Sequence, residues 1–255
     1  MVLSVDGATL TALLLASVRV VAWLAVVPPF STRGIPAMAK VVLAIGLSLT
    51  MAPTLADHAL PGTTIALLLA TVTQVLIGVA MGYVTMLLFT AVAAAGALID
   101  LFGGFAIAAA WDPLAMNMNT VFGRFHQVLA TALLVVSGGH LLVIGGLLST
   151  FRFLPLTGIP DVSNWDGVLV TAFSMFFTVA VQMALPMIAV LFVADLALAL
   201  LTKVAPQLNA LNVMFPAKVG LTLLLLGLSF PMLPGAVEHL VELANEAMAT
   251  MAGAG

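Results

Sequence analysis

The segment Asp195–Lys218, DLALALLTKVAPQLNALNVMFPAK, joins two apolar stretches through a short polar turn. The first stretch runs through Asp195 and Lys203 into the turn Pro206–Asn209. Apolar sequence then resumes at Phe215-Pro216, with Lys218 as the only charge that follows before the next proline-bounded turn. Proline and asparagine favour turns, and the apolar flanks suit a membrane environment. The segment therefore predicts a polar hinge between two membrane helices.

The composition of the whole chain extends this prediction. Of its 255 residues, 63% are hydrophobic and 7% are charged, whereas a soluble domain has about 25% charged residues. The mean hydropathy is +1.27. A net charge of −3 without a basic cluster argues against nucleic-acid binding. The absence of cysteine excludes disulfides, thiol catalysis and cysteine metal sites. We therefore expect an all-α integral membrane protein.

Apolar runs along the chain predict six membrane spans, since a hydrocarbon core of about 30 Å needs roughly 20 apolar residues in a helix. The predicted runs are Ala8–Val27, Ala37–Met51, Thr64–Ile99, Phe125–Leu148, Val168–Leu201 and Pro216–Met232. The second is short, and the third and fifth are too long for one crossing. Such lengths indicate that protein, rather than lipid, surrounds parts of these helices.

The charges between the runs predict an orientation. Five cations fall on one side, and only Arg152 falls on the other. The five are Arg33, Lys40, Arg124, Lys203 and Lys218. The positive-inside rule makes their side cytoplasmic and places both termini outside the cytoplasm.

The tail from Gly235 predicts an amphipathic helix. Its apolar residues recur at helical spacing and form one stripe, while its three glutamates lie elsewhere. The stripe consists of Val237, Leu240, Val241, Ala244 and Met248.

Polar side chains give no sign of catalysis. The four histidines, His58, His126, His140 and His239, lack metal-ligand spacing, and two of them fall at opposite ends of the predicted fourth helix. No phosphate-binding loop or catalytic triad is present. We expect neither an enzyme nor a bound cofactor.

Two charges fall inside or at the end of apolar helices, where ionisable groups are costly and tend to be functional. Arg19 lies midway along the first helix and Asp195 near the end of the fifth. They could form a proton or ion relay, or they could hold helices or subunits in register. A lone arginine and a lone aspartate make a poor relay, so the sequence favours the anchoring role.

The segment Asp100–Arg124 predicts a loop with an unusual number of large apolar side chains. Gly103-Gly104 gives it backbone freedom, and Asp112-Pro113 predicts a stiff turn. Its aromatic residues and methionines would not stay exposed to water, and non-helical backbone at membrane depth lies inside protein or lines a cavity. Because methionine adapts its shape, Met116 and Met118 suit a plug that reseals around a passing chain. A re-entrant loop that only fills space is the alternative.

An ordered series of motifs resembles the FliR family of flagellar export-gate subunits and its virulence-secretion relatives, from about residue 10 to 245. The motifs are Arg19, Pro28-Pro29-Phe30, Ile35-Pro36, Gln74–Gly82, Gly103-Gly104 through Asp112-Pro113, Gly139-His140-Leu141, Leu154-Pro155, Ala184-Leu185-Pro186 and Pro206–Asn209. Trp111 departs from the family, which usually has a smaller or another apolar residue there.

The resemblance implies long kinked helical hairpins in a helical hetero-oligomeric gate, instead of six plain spans. Residues 1–160 would be FliP-like and residues 161–255 a FliQ-like hairpin with an amphipathic tail. The implied partners are FliP, FliQ, FlhB and FlhA, with unfolded export substrates as cargo. The implied location is the bacterial inner membrane at the flagellar base, with the gate raised toward the periplasm.

The resemblance also implies roles for individual residues. The loop at about 103–120 occupies the position of the family's plug, with Gly103, Gly104, Phe105, Asp112, Pro113, Met116 and Met118 as its candidate residues. Assembly and the hinge would depend on Arg19, Asp195, Lys203, Pro206, Gln207, Asn209 and Lys218.

Two other functions remain as alternatives. A small-molecule or ion secondary transporter usually shows inverted repeats and polar groups near the midplane. Here the two halves look unlike, and midplane polarity is sparse. A structural membrane scaffold without a conduit is the third reading.

Overall fold

The computed structural model describes residues 6–32, 34–57, 60–105, 120–160, 162–205 and 210–254, without the side chains at 164 and 210–214. Within these ranges the chain is helical and has no strand, which confirms the all-α membrane fold. The described residues form eight α-helices, namely α1 Gly7–Val26, α2 Ala37–Ala56, α3 Thr64–Gly103, α4 Val121–Val136, α5 Gly139–Phe153, α6 Trp165–Val204, α7 Ala210–Ser229 and α8 Leu233–Met251. Two 3-10 turns, Val162–Asn164 and Phe230–Met232, precede α6 and α8.

Helices α1 and α2 form a hairpin around Pro28-Pro29, which has a cis peptide bond. The prediction that α2 would end at Met51 is wrong, because the helix continues through Pro53 to Ala56 and reaches 20 residues. A proline inside a helix removes one backbone hydrogen bond, the one to the carbonyl four residues earlier, and the other hydrogen bonds of the helix can remain. Helix α7 likewise begins at Ala210 and contains Pro216, which was the predicted start.

Each over-long run is a single helix. Helices α3 and α6 have 40 residues each, about twice what one membrane crossing needs. The predicted loop 100–124 is wrong at both ends, since Asp100–Gly103 complete α3 and Val121–Arg124 begin α4.

The predicted fourth helix is two helices. Helices α4 and α5 meet at an angle of 75°. Gly138 lies between them with a φ of +77°, a left-handed conformation that ends a right-handed helix. His126 and His140 therefore lie on different helices, and not at two ends of one.

The amphipathic tail is confirmed. Helix α8 buries the predicted stripe, namely Val237, Leu240, Val241, Ala244 and Met248, and each of these is at most 3% exposed. Its glutamates lie on the exposed side. Trp165 Nε1 donates to the carbonyl of Met251 at 3.3 Å, which joins the end of α8 to the start of α6.

Among the described residues, five segments are long and apolar enough to cross a membrane, and a sixth arises if the bent pair α4–α5 is one span. The predicted count of six equals the upper of these numbers. The predicted orientation of the termini stays a prediction.

The chain divides into two compact units. Unit 1 comprises Met1–Leu88, Val135–Phe173 and His239–Gly255, and its core includes Trp23, Leu24, Ile77 and Leu147. Unit 2 comprises Phe89–Leu134 and Ser174–Glu238. Its core contains Ala95, Ile99, Phe122, Ala184, Met187 and Leu226. The division into FliP-like and FliQ-like parts stays a prediction.

Candidate functional site

A buried arginine lies at the centre of unit 1. Arg19 is 0% exposed. Its Nε donates to Gln74 Oε1 at 2.5 Å, its Nη2 donates to the carbonyl of Leu154 at 2.9 Å, and its Nη1 lies 3.4 Å from Thr150 Oγ1. Its guanidinium also stacks over the ring of Phe151, 4.1 Å from the centroid. One side chain thus connects α1, α3, α5 and the turn that follows α5.

The partners of Arg19 are neutral dipoles and an aromatic ring. A guanidinium taken out of water needs such partners for its donors, since each unpaired donor costs free energy. Gln74 is itself fixed, because its Nε2 donates to the carbonyl of Leu156 at 2.8 Å. The sequence did not identify Gln74 as the partner of Arg19, although both lie in motifs of the family series.

Close helix crossing surrounds this arginine. A Cβ atom added to Gly78 would overlap the backbone carbonyl of Arg19 and approach Ala22 Cβ to 2.9 Å. One turn later, Gly82 lies against Val26 and Trp23. Helix α3 can therefore approach α1 this closely only because glycine occupies the crossing.

A second cluster lies in unit 2, at the end of α3, and contains the first three predicted plug residues. Gly104 has a φ of +85° and ends α3 in the left-handed conformation. A Cβ added there would lie 3.7 Å from Lys218 Cδ. The preceding Gly103 faces Thr222, whose Cγ2 would be 2.9 Å from an added Cβ. The two glycines thus allow the end of α3 to pack closely against α7.

Phe105 continues this cluster. Its ring meets the ring of Phe122 edge to face, with centroids 4.7 Å apart and planes at 71°. Phe122 belongs to the core of unit 2, and Phe105 packs against the same core. This contact joins the residue that follows α3 to the first turn of α4.

The same first turn is held by Asp100, which the sequence analysis treated only as the start of a loop. Asp100 Oδ2 accepts hydrogen bonds from the backbone N–H groups of Phe122 at 2.8 Å and Gly123 at 3.2 Å. It is the only charged residue among the 40 of α3. That isolation was the signal that the sequence offered.

Two of the charges predicted to serve assembly and the hinge form an ion pair. Lys218 Nζ lies 2.8 Å from Asp195 Oδ1, and the two side chains are 18% and 37% exposed. Asp195 therefore pairs with Lys218 and not with Arg19, whose partners lie in unit 1. Lys203 lies exposed in the last turn of α6, where a cation is favoured by the helix dipole.

Seven of the fourteen predicted site residues are described by the structure, and they fall into these clusters or, in the case of Lys203, beside the predicted hinge. The other seven, Asp112, Pro113, Met116 and Met118 of the plug and Pro206, Gln207 and Asn209 of the hinge, lie outside the described residues. Their roles stay predictions.

Comparison with known proteins identifies the family. The family model described as "Bacterial export proteins, family 1" matches residues 10–244. "Flagellar biosynthetic protein FliR" of Pectobacterium carotovorum subsp. carotovorum is 35% identical over 223 residues, covering 88% of this chain and 85% of the relative.

Two further relatives carry the same name. The protein of Escherichia coli (strain K12) is 34% identical, covering 87% of this chain and 85% of the relative. That of Bacillus subtilis (strain 168) is 26% identical, covering 93% of each chain. This chain therefore belongs to family 1 of the bacterial export proteins, the family of the flagellar FliR proteins, and takes part in flagellar protein export.

Proposed function

We propose that this chain is a core subunit of the flagellar type III protein export gate and has no enzymatic role. It assembles with FliP and FliQ homologues, next to FlhB and FlhA homologues, into a channel in the bacterial inner membrane. Unfolded flagellar proteins cross through that channel. The assembled gate is raised toward the periplasmic side at the base of the flagellum.

The observation that carries the assembly proposal is the apolar surface that the chain leaves uncovered. In the most apolar 18-residue stretch of α6, only 17% of the residues are buried within the chain. A helix of 40 residues is too long for lipid alone to cover, since a bilayer core accommodates about 20. Neighbouring subunits would cover the remainder.

The plug proposal depends on the cluster at the end of α3. The segment 103–120 leaves α3 at Gly103-Gly104, and its first residues are fixed on α7 and on Phe122. A plug requires such a fixed base, because a segment attached to nothing could not reseal at one place. The methionines and Asp112-Pro113 of the predicted plug complete the proposal.

The buried polar cluster of unit 1 offers little support for a secondary transporter. Arg19, Gln74 and Thr150 are each 0% exposed, and their hydrogen bonds are made to one another and to backbone. A substrate site needs polar groups that a solute can reach.

The experiment has two arms. In the first, the chain is co-expressed with the FliP and FliQ homologues of its own bacterium, and we expect the three to purify as one complex, whereas the chain alone aggregates. A stable lone monomer in detergent would contradict the assembly proposal.

In the second arm, residues 106–119 are replaced by a glycine-serine linker of equal length. We expect the passive ion permeability of membranes that contain the complex to rise, with the abundance of the complex unchanged. Unchanged permeability would refute the plug and leave membership of the gate intact.

A further inference from the structure

The proposed function leaves unused the buried hydrogen bonds made by Asp100. Its side chain is 1% exposed, although it lies in an otherwise uncharged helix. Oδ2 accepts two backbone hydrogen bonds from the first turn of α4, and Oδ1 has no hydrogen-bond partner among the described residues. The Thr120 hydroxyl also neighbours this carboxyl group, without bonding to Oδ1.

This arrangement is a helix cap supplied from a distance. The first N–H groups of a helix have no partner within it, and the residue just before the helix usually satisfies them. Here the acceptor comes from 22 residues earlier in the chain. A local cap would stabilise α4 alone, whereas this one also fixes α4 to the end of α3.

The helix crossing confines the cap to one place. A Cβ added to Gly96 would overlap the carbonyl of Phe122 and come within 2.6 Å of its carbonyl carbon. A Cβ added to Gly123 would lie 3.1 Å from the carbonyl oxygen of Ala93. Since backbone meets backbone at both glycines, a small shift of α4 along α3 would produce overlap and lengthen the bonds to Asp100.

The cap also determines where Phe105 lies. Asp100 holds the backbone N–H of Phe122, and the ring of Phe122 supports the ring of Phe105. We infer that Asp100 is a positioning residue of the export gate, which sets the place of Phe105 at the base of the plug. This inference rests on the proposed function and adds a residue that acts through Phe122.

Two substitutions test the inference. Asp100→Ala removes the acceptor of both backbone hydrogen bonds from α4, and Asp100→Asn keeps an oxygen that can accept them. The matched control is Thr85→Val, because Thr85 is a fully buried polar residue of the same helix whose hydroxyl donates to the carbonyl of Met81 within that helix. All variants are measured in the complete complex, as passive ion permeability per assembled complex.

We expect Asp100→Ala to raise permeability about tenfold, because losing a hydrogen bond to a charged group shifts an equilibrium by at least about that factor. Asp100→Asn should cause a smaller rise, and Thr85→Val none. A purely structural role would lower the yield of the complex without changing the permeability of the complexes that form.

The outcomes separate the inference from the function on which it rests. If the linker replacement of residues 106–119 leaks and assembled Asp100→Ala does not, the positioning role is overturned and the plug stands. If the linker replacement does not leak, the plug is overturned and the positioning role falls with it. If both substitutions at Asp100 abolish assembly, Asp100 serves folding and the inference is overturned.

Discussion

Arg19 of unit 1 and the Asp195–Lys218 pair of unit 2 are held in different ways. In unit 1, Arg19 is fully enclosed and divides its hydrogen bonds among neutral groups from several parts of the chain. In unit 2, Lys218 and Asp195 form a single, partly exposed ion pair beside a left-handed glycine.

The difference suggests distinct roles for the two places. Moving Arg19 would break several bonds at once and leave buried groups without partners, so its surroundings have one arrangement. The end of α3 is held instead by its packing against α7, by the ring contact of Phe105 with Phe122 and by the helix cap that Asp100 supplies. We therefore expect unit 1 to provide the anchor, while the base of the proposed plug lies in unit 2.

Removing the arginine should lower stability more than any other substitution. A smaller effect would contradict the contrast between the two units. We expect Arg19→Leu to lower the free energy of unfolding by about 3–5 kcal/mol, because Gln74 and the carbonyl of Leu154 lose a buried partner. Thermal unfolding of the purified complex would show a lower midpoint. Arg19→Lys should lose less, and an unchanged midpoint for Arg19→Leu would contradict the anchor.

The close crossing beside the anchor should come next. Gly78→Ala places a methyl group on the backbone of Arg19, and we expect a loss of about 1–3 kcal/mol. Gly145→Ala is the control, since nothing lies within 4 Å of its added Cβ. Because alanine has a better helix propensity than glycine, this control variant should be as stable as the original protein or more stable by up to about 1 kcal/mol. Equal stabilities for the two variants would mean that α1 and α3 do not cross closely.

In unit 2, the left-handed glycine should have an intermediate effect. Gly104→Ala forces a side chain into a conformation that costs about 1–2 kcal/mol. We expect a clear rise in the permeability of the complex and only a small fall in its thermal midpoint. Gly104→Asn is the control, because asparagine tolerates this conformation. A fall in midpoint as large as that of Arg19→Leu would erase the contrast between the two regions.

The ion pair should have the smallest effect. A double-mutant cycle of Asp195→Ala, Lys218→Ala and the combined variant should give a coupling of about 1 kcal/mol, since the pair is partly exposed. The unfolding midpoints of the four complexes supply the cycle. A coupling near zero would leave the two residues to act only through packing, and one above 3 kcal/mol would make this site as rigid as that of Arg19.

The features that were predicted best from the sequence are those that follow from the periodic spacing of apolar residues. The stripe of α8, from Val237 to Met248, followed from helical spacing and is confirmed in full. Helix ends predicted from proline and glycine were wrong at three places. Pro53 and Pro216 lie inside helices that the prediction ended or began there, whereas Gly138 divides a run predicted as one helix.

The site needed contacts between distant parts of the chain. Arg19 was singled out because a charge in an apolar helix is costly, but its partners lie 55 and 135 residues away. Periodicity carries no record of such pairings. The remote cap by Asp100 was missed for the same reason, since its partners lie in a later helix.

The most direct test of the account asks whether the base of the plug meets passing cargo. A photo-crosslinking phenylalanine analogue would replace Phe105 in one variant and Phe153, an exposed aromatic of unit 1, in another. Complexes holding a stalled, unfolded export substrate would then be irradiated. We predict crosslinks to the substrate from position 105 and none from position 153. Crosslinks absent at position 105 in a complex that still exports would contradict the central claim.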